Sequence, residues 1–504
     1  MLELRTDSVN FYRSEYCDDL NRRIVELCRS GDRVRLRDYI RRQDDAHPEL
    51  YADERIENRP GMQLVKELVD ALPGPVSVID VACGSAELLK ALQRSGHRVT
   101  GVDASPVRVA RHRREITDLH EGFAEELPLA PATADVAIAL ECLEHVMDLD
   151  RALREMARVL RPGGALLVTV PLGSAADGPN HVRHFTVESL RQAVEHRGFH
   201  VLLACTIPYL HGEPDNNVFL AAVKLVDERT PLVLSHALNY KLLKLITPDL
   251  MTVSGIELTN LCNLRCRQCP TPFTRAATGY ADDRTVAQAL DYAAPGQLFS
   301  YHRLGEPLLH PQLLRYVQWA ADRGVHPLIS TNGVLLTEEI FLKLLDAGLR
   351  NLQITLHTTA STKAYGLVAR HLLAHPEVQD RLTFVGNVLS HYDKVPEWLD
   401  ACGITAEERR WLRYVQTHNW AGNVPGRRVA FPDDVVERRV RNCYFITGNR
   451  ASIRWDGTVV ACCFDSENEN VIGRLEDFAT LRHRPADYRL CRYCDANWAN
   501  GDTA

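Results

Sequence analysis

From about residue 61 to 225, apolar runs of strand length alternate with helical patterns. VSVIDVA leads to ELLKALQRSG, RVTGVDA to VRVARHRREI, ADVAIAL to DRALREMARVL, and ALLVTVP follows the turn Pro162-Gly163-Gly164. Such alternation predicts a parallel, doubly wound α/β sheet covered on both faces, and the Pro-Gly-Gly turn predicts a helix stop before a new strand. A second alternation starts near residue 251 with IELTN, QLFSYH, PLIST, LQITLH, LTFVGNVLS and WLRYVQT, which predicts a second α/β unit, a full or partial barrel. Residues 226–250 fit neither series and read as a linker. Residues 1–60 are polar and Arg-rich, with helical spacing in LNRRIVELC and RVRLRDYIRR, and read as a solvated helical cap. Beyond the barrel, expected over 251–425, residues 426–504 are short, turn-rich and Cys-bearing, and read as a small tail domain.

Composition narrows the function classes. The 504 residues are about three times the ~150 of a typical domain, so two or three domains are expected. A hydrophobic fraction of 45%, a charged fraction of 25% and a net charge of -7 exclude a disordered chain and give no overall pull toward nucleic acid. The start MLELRTDSVN is no secretory signal, and no run of about 18 apolar residues is present, so a cytoplasmic, membrane-free protein is expected. In that reducing compartment the clustered part of the 14 Cys is expected to ligate metal rather than form disulfides.

The first half carries a cofactor cleft. Asp80-Val81-Ala82-Cys83-Gly84-Ser85-Ala86 leaves a strand and turns on small residues, and Asp103 ends the next strand nineteen residues after Gly84. An acidic side chain there accepts ribose hydroxyls, yet the phosphate-cradling glycines of a dinucleotide fingerprint are missing. Without a pyrophosphate to hold, S-adenosylmethionine is the better tenant. With Glu125-Glu126-Leu127-Pro128, Glu141-Cys142-Leu143-Glu144-His145 and Arg161 to Gly164, this stretch resembles the class I S-adenosylmethionine-dependent methyltransferases, with a Rossmann-like fold. The resemblance implies that Asp80, Ala82 and Gly84 line the methionine end, Asp103 the ribose, and Ala124 with Glu125 the adenine. Ala86 replaces the usual third glycine.

Glu141, Glu144, His145 and the later His181 can ligate a hard divalent cation, which would lower the pKa of substrate hydroxyls. That pattern is similar to the RNA 3′-terminal 2′-O-methyltransferases and the quinone-biosynthesis O-methyltransferases. Without a metal, His145, His181 or His184 can serve as general base.

In the second half Cys262, Cys266 and Cys269, spaced C-x3-C-x2-C after IELTN, can hold three irons of a 4Fe-4S cube and leave the fourth open. Zinc is the competing reading, but nothing nearby supplies a fourth ligand. The loop resembles the radical S-adenosylmethionine superfamily, followed in that family's order by Gly305-Glu306-Pro307, Ser330-Thr331-Asn332-Gly333 and Thr355. The resemblance implies that Gly305, Glu306, Ser330, Asn332 and Thr355 hold a second S-adenosylmethionine, from which one electron generates a 5′-deoxyadenosyl radical. Arg303 and Leu304 stand where another glycine is usual. His357, Tyr301 or His302 is expected either to face substrate or to be structural. Cys443, Cys462, Cys491 and Cys494 look like the ligands of a second 4Fe-4S cluster in a twitch domain, the short form of the SPASM domain, with structural zinc as the alternative. Cys463 is spare: a substitute for Cys462, an inert thiol, or a hydrogen-atom donor.

The expectation is a bifunctional enzyme that methylates a hydroxyl and oxidises or epimerises a sugar- or aminocyclitol-like small molecule, fed by a flavodoxin- or ferredoxin-like electron donor. Epimerisation needs a thiol, Cys463 or Cys402, to return a hydrogen. The alternatives are a peptide-modifying enzyme, and a radical enzyme whose first half only binds.

Overall fold

The computed structural model describes residues 55–173, 181–212, 214–225, 233–389, 393–415, 420–424, 426 and 428–495, together with Arg35. The helical cap expected over 1–60 falls almost wholly outside the described residues. Two compact units divide the chain, Met1–Leu242 and Leu243–Ala504. No helix among the described residues is long and apolar enough to cross a membrane.

The first unit is built on seven strands: β1 (Ser77–Val81), β2 (Arg98–Asp103), β3 (Leu119–Glu121), β4 (Ala134–Leu140), β5 (Leu160–Pro171), β6 (Phe199–Pro208) and β7 (Asp215–Lys224). Their order is β3-β2-β1-β4-β5-β7-β6, with β7 antiparallel to both neighbours and the other pairs parallel. Side chains alternate across the sheet, as strand geometry requires. Val136 and Ile138 of β4 join a core with Val65, Leu68, Leu88 and Leu92, while Ala137 and Ala139 join the opposite core with Leu153, Met156, Leu190 and Val194. Both faces are therefore dry, which explains the unbroken apolar runs.

Two local differences from the sequence pattern have physical causes. The helix Leu149–Val159 stops before Leu160, and Pro162-Gly163-Gly164 lies inside β5. A Cβ on Gly164 would sit 3.1 Å from Asp135 O, so the glycine lets β5 close on the start of β4, where the register shifts. In the linker segment, Val233–Ile246 is a helix that buries Ala237, Leu238 and Leu242 in the first unit's core.

The second unit has nine strands: β8 (Thr252–Ile256), β9 (Leu298–Ser300), β10 (His326–Thr331), β11 (Asn351–Thr355), β12 (Thr383–Leu389), β13 (Leu412–Val415), β14 (Arg450–Ile453), β15 (Thr458–Val460) and β16 (Val471–Arg474). The order is β13-β12-β11-β10-β9-β8-β14-β15-β16, an open sheet whose first six members follow the chain in parallel with helices between them. That is a partial barrel. β14 adds to it in parallel beside β8, so the tail continues the barrel's sheet, and β15 and β16 finish it antiparallel. One core joins Ile256, Ile329, Leu352 and Ile354 from strands to Leu290, Val317, Leu344 and Val368 from helices.

Candidate active sites

In the first unit the strand order reverses between β1 and β4. Doubly wound sheets take ligands beside the carboxyl ends of strands at such a point. The backbone there is strained: Ala82, Ala86 and Glu141 hold φ of 64°, 58° and 51°, and Gly84 holds 52°. Non-glycine residues in this region cost on the order of 1–3 kcal/mol and persist where their surroundings over-determine them, as at ligand sites.

Asp103, 4% exposed, accepts Gly84 N on Oδ2 and Ser105 N on Oδ1, both at 2.9 Å. These two donors hold the Asp103 carboxylate in place at the end of β2. Asp80 is buried at the end of the adjoining β1. Ala124 is buried, and Glu125 turns inward, its Oε1 accepting Met147 N at 2.7 Å and Asp148 N at 3.3 Å. That carboxylate fastens the turn after β4.

Of the four expected cation ligands the structure gathers three. The ligand atoms of Glu144, His145 and His181 all lie within 4.8 Å of one another. Both carboxylate oxygens of Glu144 are buried with no hydrogen-bond partner, and His145 Nε2 lies 3.6 Å from Oε1. Burial, then the Glu141 charge, push its pKa well above the usual carboxylate range. Glu141 stands apart: its Oε1 accepts Thr169 Oγ1 at 2.7 Å and Asn217 Nδ2 at 2.8 Å. His184 is exposed and outside the group. Arg183, which the sequence reading missed, donates to the carbonyls of Leu143 at 2.8 Å and Met147 at 3.3 Å and so holds the Glu144-His145 turn. Its signal was only its place between two histidines.

In the second unit the thiol loop lies against the carboxyl ends of β10 and β11, the face on which barrels place their sites. Asn332 Nδ2 lies 3.8 Å from Cys262 Sγ, and His357 Nδ1 lies 3.7 Å from Cys266 Sγ. Cys269 Sγ is 3.2 Å from Thr271 Oγ1. Ser330 and Thr355 are half-buried on β10 and β11. Gly305 has φ 76°, and a Cβ there would stand 2.3 Å from Thr259 O. Glu306 is buried and accepts Thr331 Oγ1 at 2.7 Å, Asn332 N at 2.8 Å and Leu308 N at 3.0 Å, so its carboxylate anchors the end of β10. Tyr301 is buried and donates to Tyr316 O, a structural role. Arg303, which stands where a glycine was expected, is fully buried and pairs with Glu257 at 2.9 Å, with Arg454 Nε 3.8 Å from the other oxygen.

His302 follows β9, and burial holds its imidazole down to about 4. The unfolded chain takes that proton near 6.5, so the apo second unit should lose stability as pH falls from 6.5 toward 4 and not above that window. Urea unfolding across pH 4–7 checks this: His302→Gln should flatten the slope, and an unchanged slope refutes the assignment.

In the tail, Cys443, Cys462, Cys491 and Cys494 line one small cavity of about 30 Å³ together with Phe445, Ile446, Phe464 and Leu490. Cys463 does not line it. Burial pushes the Cys463 thiol up to about 12, against the opposing pull of the Arg303 guanidinium. Burial likewise raises Cys491 to about 12. Such thiols stay protonated until a metal replaces the proton. One zinc ion would draw thiolates to about 3.8 Å of one another. Among the described residues no group containing these cysteines has three ligand atoms mutually within 4.8 Å. Cys402, remote in sequence, sits 3.7 Å from Thr359 O.

Both units thus gather their candidate residues at strand carboxyl ends, Asp80, Gly84 and Asp103 in the first and the Cys262–Cys269 loop with Asn332 and His357 in the second. A methyltransferase-domain family model matches residues 79–168, and a radical S-adenosylmethionine superfamily model matches residues 256–382. The chain is a fusion of a methyltransferase domain with a radical S-adenosylmethionine domain. It is 32% identical over 27% of its length to a probable S-adenosylmethionine-dependent methyltransferase of Mycolicibacterium smegmatis, of which it covers 55%. It is 40% identical over 18% of its length to a ubiquinone biosynthesis O-methyltransferase of Sodalis glossinidius, of which it covers 38%. The chain therefore spans about half or less of these curated relatives. Among solved structures it is similar to BtrN in complex with AdoMet and 2-DOIA (20% identity, 49% of this chain, 94% of that chain, TM-score 0.33). It is also similar to the [4+2]-cyclase SpnF (24% identity, 33% of this chain, 81% of that chain, TM-score 0.29).

Proposed function

We propose a bifunctional enzyme that methylates a hydroxyl of a small molecule in the first unit and abstracts a hydrogen atom from a carbon of such a molecule in the second. The observation that carries this reading is the meeting of the Cys262–Cys269 loop with Asn332 and His357 at the strand ends, in a chain that also offers the Asp103 diol acceptor. The finer reading is a sugar- or aminocyclitol-like intermediate, oxidised or epimerised at a hydroxyl-bearing carbon. A vicinal diol suits the Glu144, His145 and His181 group, where a divalent cation would give the orphaned Glu144 carboxylate its missing partner. The domain limits 61–225, 251–425 and 426–504, a flavodoxin- or ferredoxin-like donor and a cytoplasmic setting belong to the same reading.

The residues present fit the groups they would hold. An iron-sulfur cube on Cys262, Cys266 and Cys269 supplies, when bound, the electron that cleaves S-adenosylmethionine. His357 and Asn332 orient the loop beside it, while Glu306 fixes β10 through three hydrogen bonds. A second cube fits Cys443, Cys462, Cys491 and Cys494, whose cavity has a largely apolar wall. In the first unit His145 or His181 can take the proton of the attacking hydroxyl.

The test is anaerobic incubation of the reconstituted full chain with S-adenosylmethionine, dithionite and a panel of aminocyclitols and sugars. Formation of both 5′-deoxyadenosine and S-adenosylhomocysteine is expected. Deoxyadenosine with no S-adenosylhomocysteine on any accepted substrate would make the first unit a binding module. Glu144→Gln, or chelation, should cut methyl transfer by about 10–100-fold and spare deoxyadenosine formation. Unchanged methyl transfer would remove the cation.

A further inference from the structure

Asn470 stands in the wall of the four-thiol cavity, 3% exposed. Its backbone N–H donates to Asp465 Oδ2 at 2.8 Å, and its carbonyl accepts Ala461 N at 3.0 Å. Its side-chain Oδ1 accepts Leu490 N at 3.2 Å, which decides the orientation of the amide and leaves Nδ2 at the other end. Nδ2 is buried and has no hydrogen-bond partner. Buried donors are almost always satisfied, so a fixed and unsatisfied one points to a missing acceptor. Besides Asn470 and Tyr488, the side chains lining the cavity are apolar or thiols. The Tyr488 hydroxyl is already engaged, with Arg484 N at 3.1 Å and His483 Nδ1 at 2.8 Å. Among the lining side chains, the thiol sulfurs are the acceptors that remain.

We infer that Asn470 donates its side-chain N–H to a sulfur of the cluster held by Cys443, Cys462, Cys491 and Cys494, and thereby raises that cluster's reduction potential. An N–H···S bond draws negative charge off the sulfur and favours the reduced, more negative state. Asn470 is a positioning residue, acting through the cluster on whatever electron the tail receives. The inference rests on the reading of these four thiols as cluster ligands.

The experiment uses the full chain carrying Cys262→Ala, Cys266→Ala and Cys269→Ala, in which only the tail can hold a cluster. Iron analysis comes first: about four irons per chain support the cluster reading, and none refutes that reading itself. Asn470→Asp then keeps an oxygen for Leu490 N and removes the N–H donor. In a redox titration followed by EPR at pH 8, its midpoint should fall by at least the tenfold change in equilibrium that equals about 59 mV for one electron. A loaded cluster with an unshifted midpoint overturns the role of Asn470 while the cluster reading stands. A second measurement needs no change at residue 470. With asparagine labelled by 15N in the side-chain amide, the reduced tail cluster should show a 15N coupling in pulsed EPR, and its absence overturns the inference even if Asn470→Asp fails to assemble.

Discussion

Cys266→Ala should abolish 5′-deoxyadenosine formation and leave S-adenosylhomocysteine formation by the first unit intact. Three thiolates are the minimum for three irons, and alanine offers the third no substitute ligand. His357 Nδ1, 3.7 Å from this sulfur, loses that contact as well. Iron should fall from about eight to about four per chain, the remainder being the tail cluster. Deoxyadenosine formation at the wild-type rate would refute the radical assignment, and methyl transfer lost in parallel would show that the two units do not act separately.

Gly305→Ala should be nearly as damaging by a different route. The added Cβ would stand 2.3 Å from Thr259 O and 2.6 Å from Leu261 O, at a φ of 76° that side chains rarely adopt. Both clashes are with backbone, so no rotamer relieves them. The chain must move at Leu261, next to Cys262, and break the 2.8 Å bond from Glu306 N to Leu261 O. A loss of about 3 kcal/mol or more in stability is expected, with loss of iron from the loop. Gly296 is the control: its φ is 74° but a Cβ there meets nothing within 4 Å, so Gly296→Ala should cost about 1 kcal/mol. Equal melting temperatures for the two variants would show that the close approach does not matter.

Much of the architecture was legible because both halves obey local rules. Buried parallel strands write themselves as apolar runs, and ADVAIAL coincides with β4. The thiol loop was legible because its spacing is local. β8 was read too late, at IELTN, because Gly255 and Ser254 interrupt its pattern and Glu257 looks like an ordinary strand residue. In the fold Glu257 is a buried acid between two arginines from distant strand ends. Sequence distance also hid the fate of Glu141, since Thr169 and Asn217, which occupy its carboxylate, come from β5 and β7. The adjacent pair Cys462 and Cys463 could not be told apart by spacing. Only the course of the chain after β15 shows which of them lines the cavity. Asn470 was invisible for the same reason: its partners lie at Asp465, Ala461 and Leu490, and DSENEN reads as a polar turn.

The parallel pairing of β14 with β8 also governs the order of assembly. Thr252 sits opposite Arg450, so the strand that leads into the thiol loop gains its second neighbour only once residue 450 has been made. Pairings over such separations form slowly, because loop entropy is lost before contacts are gained. Until then β8 is an unpaired edge, open to association with other chains. The sheet that carries the thiol loop is therefore expected to close only after β14 has docked on β8, however early the loop itself is made.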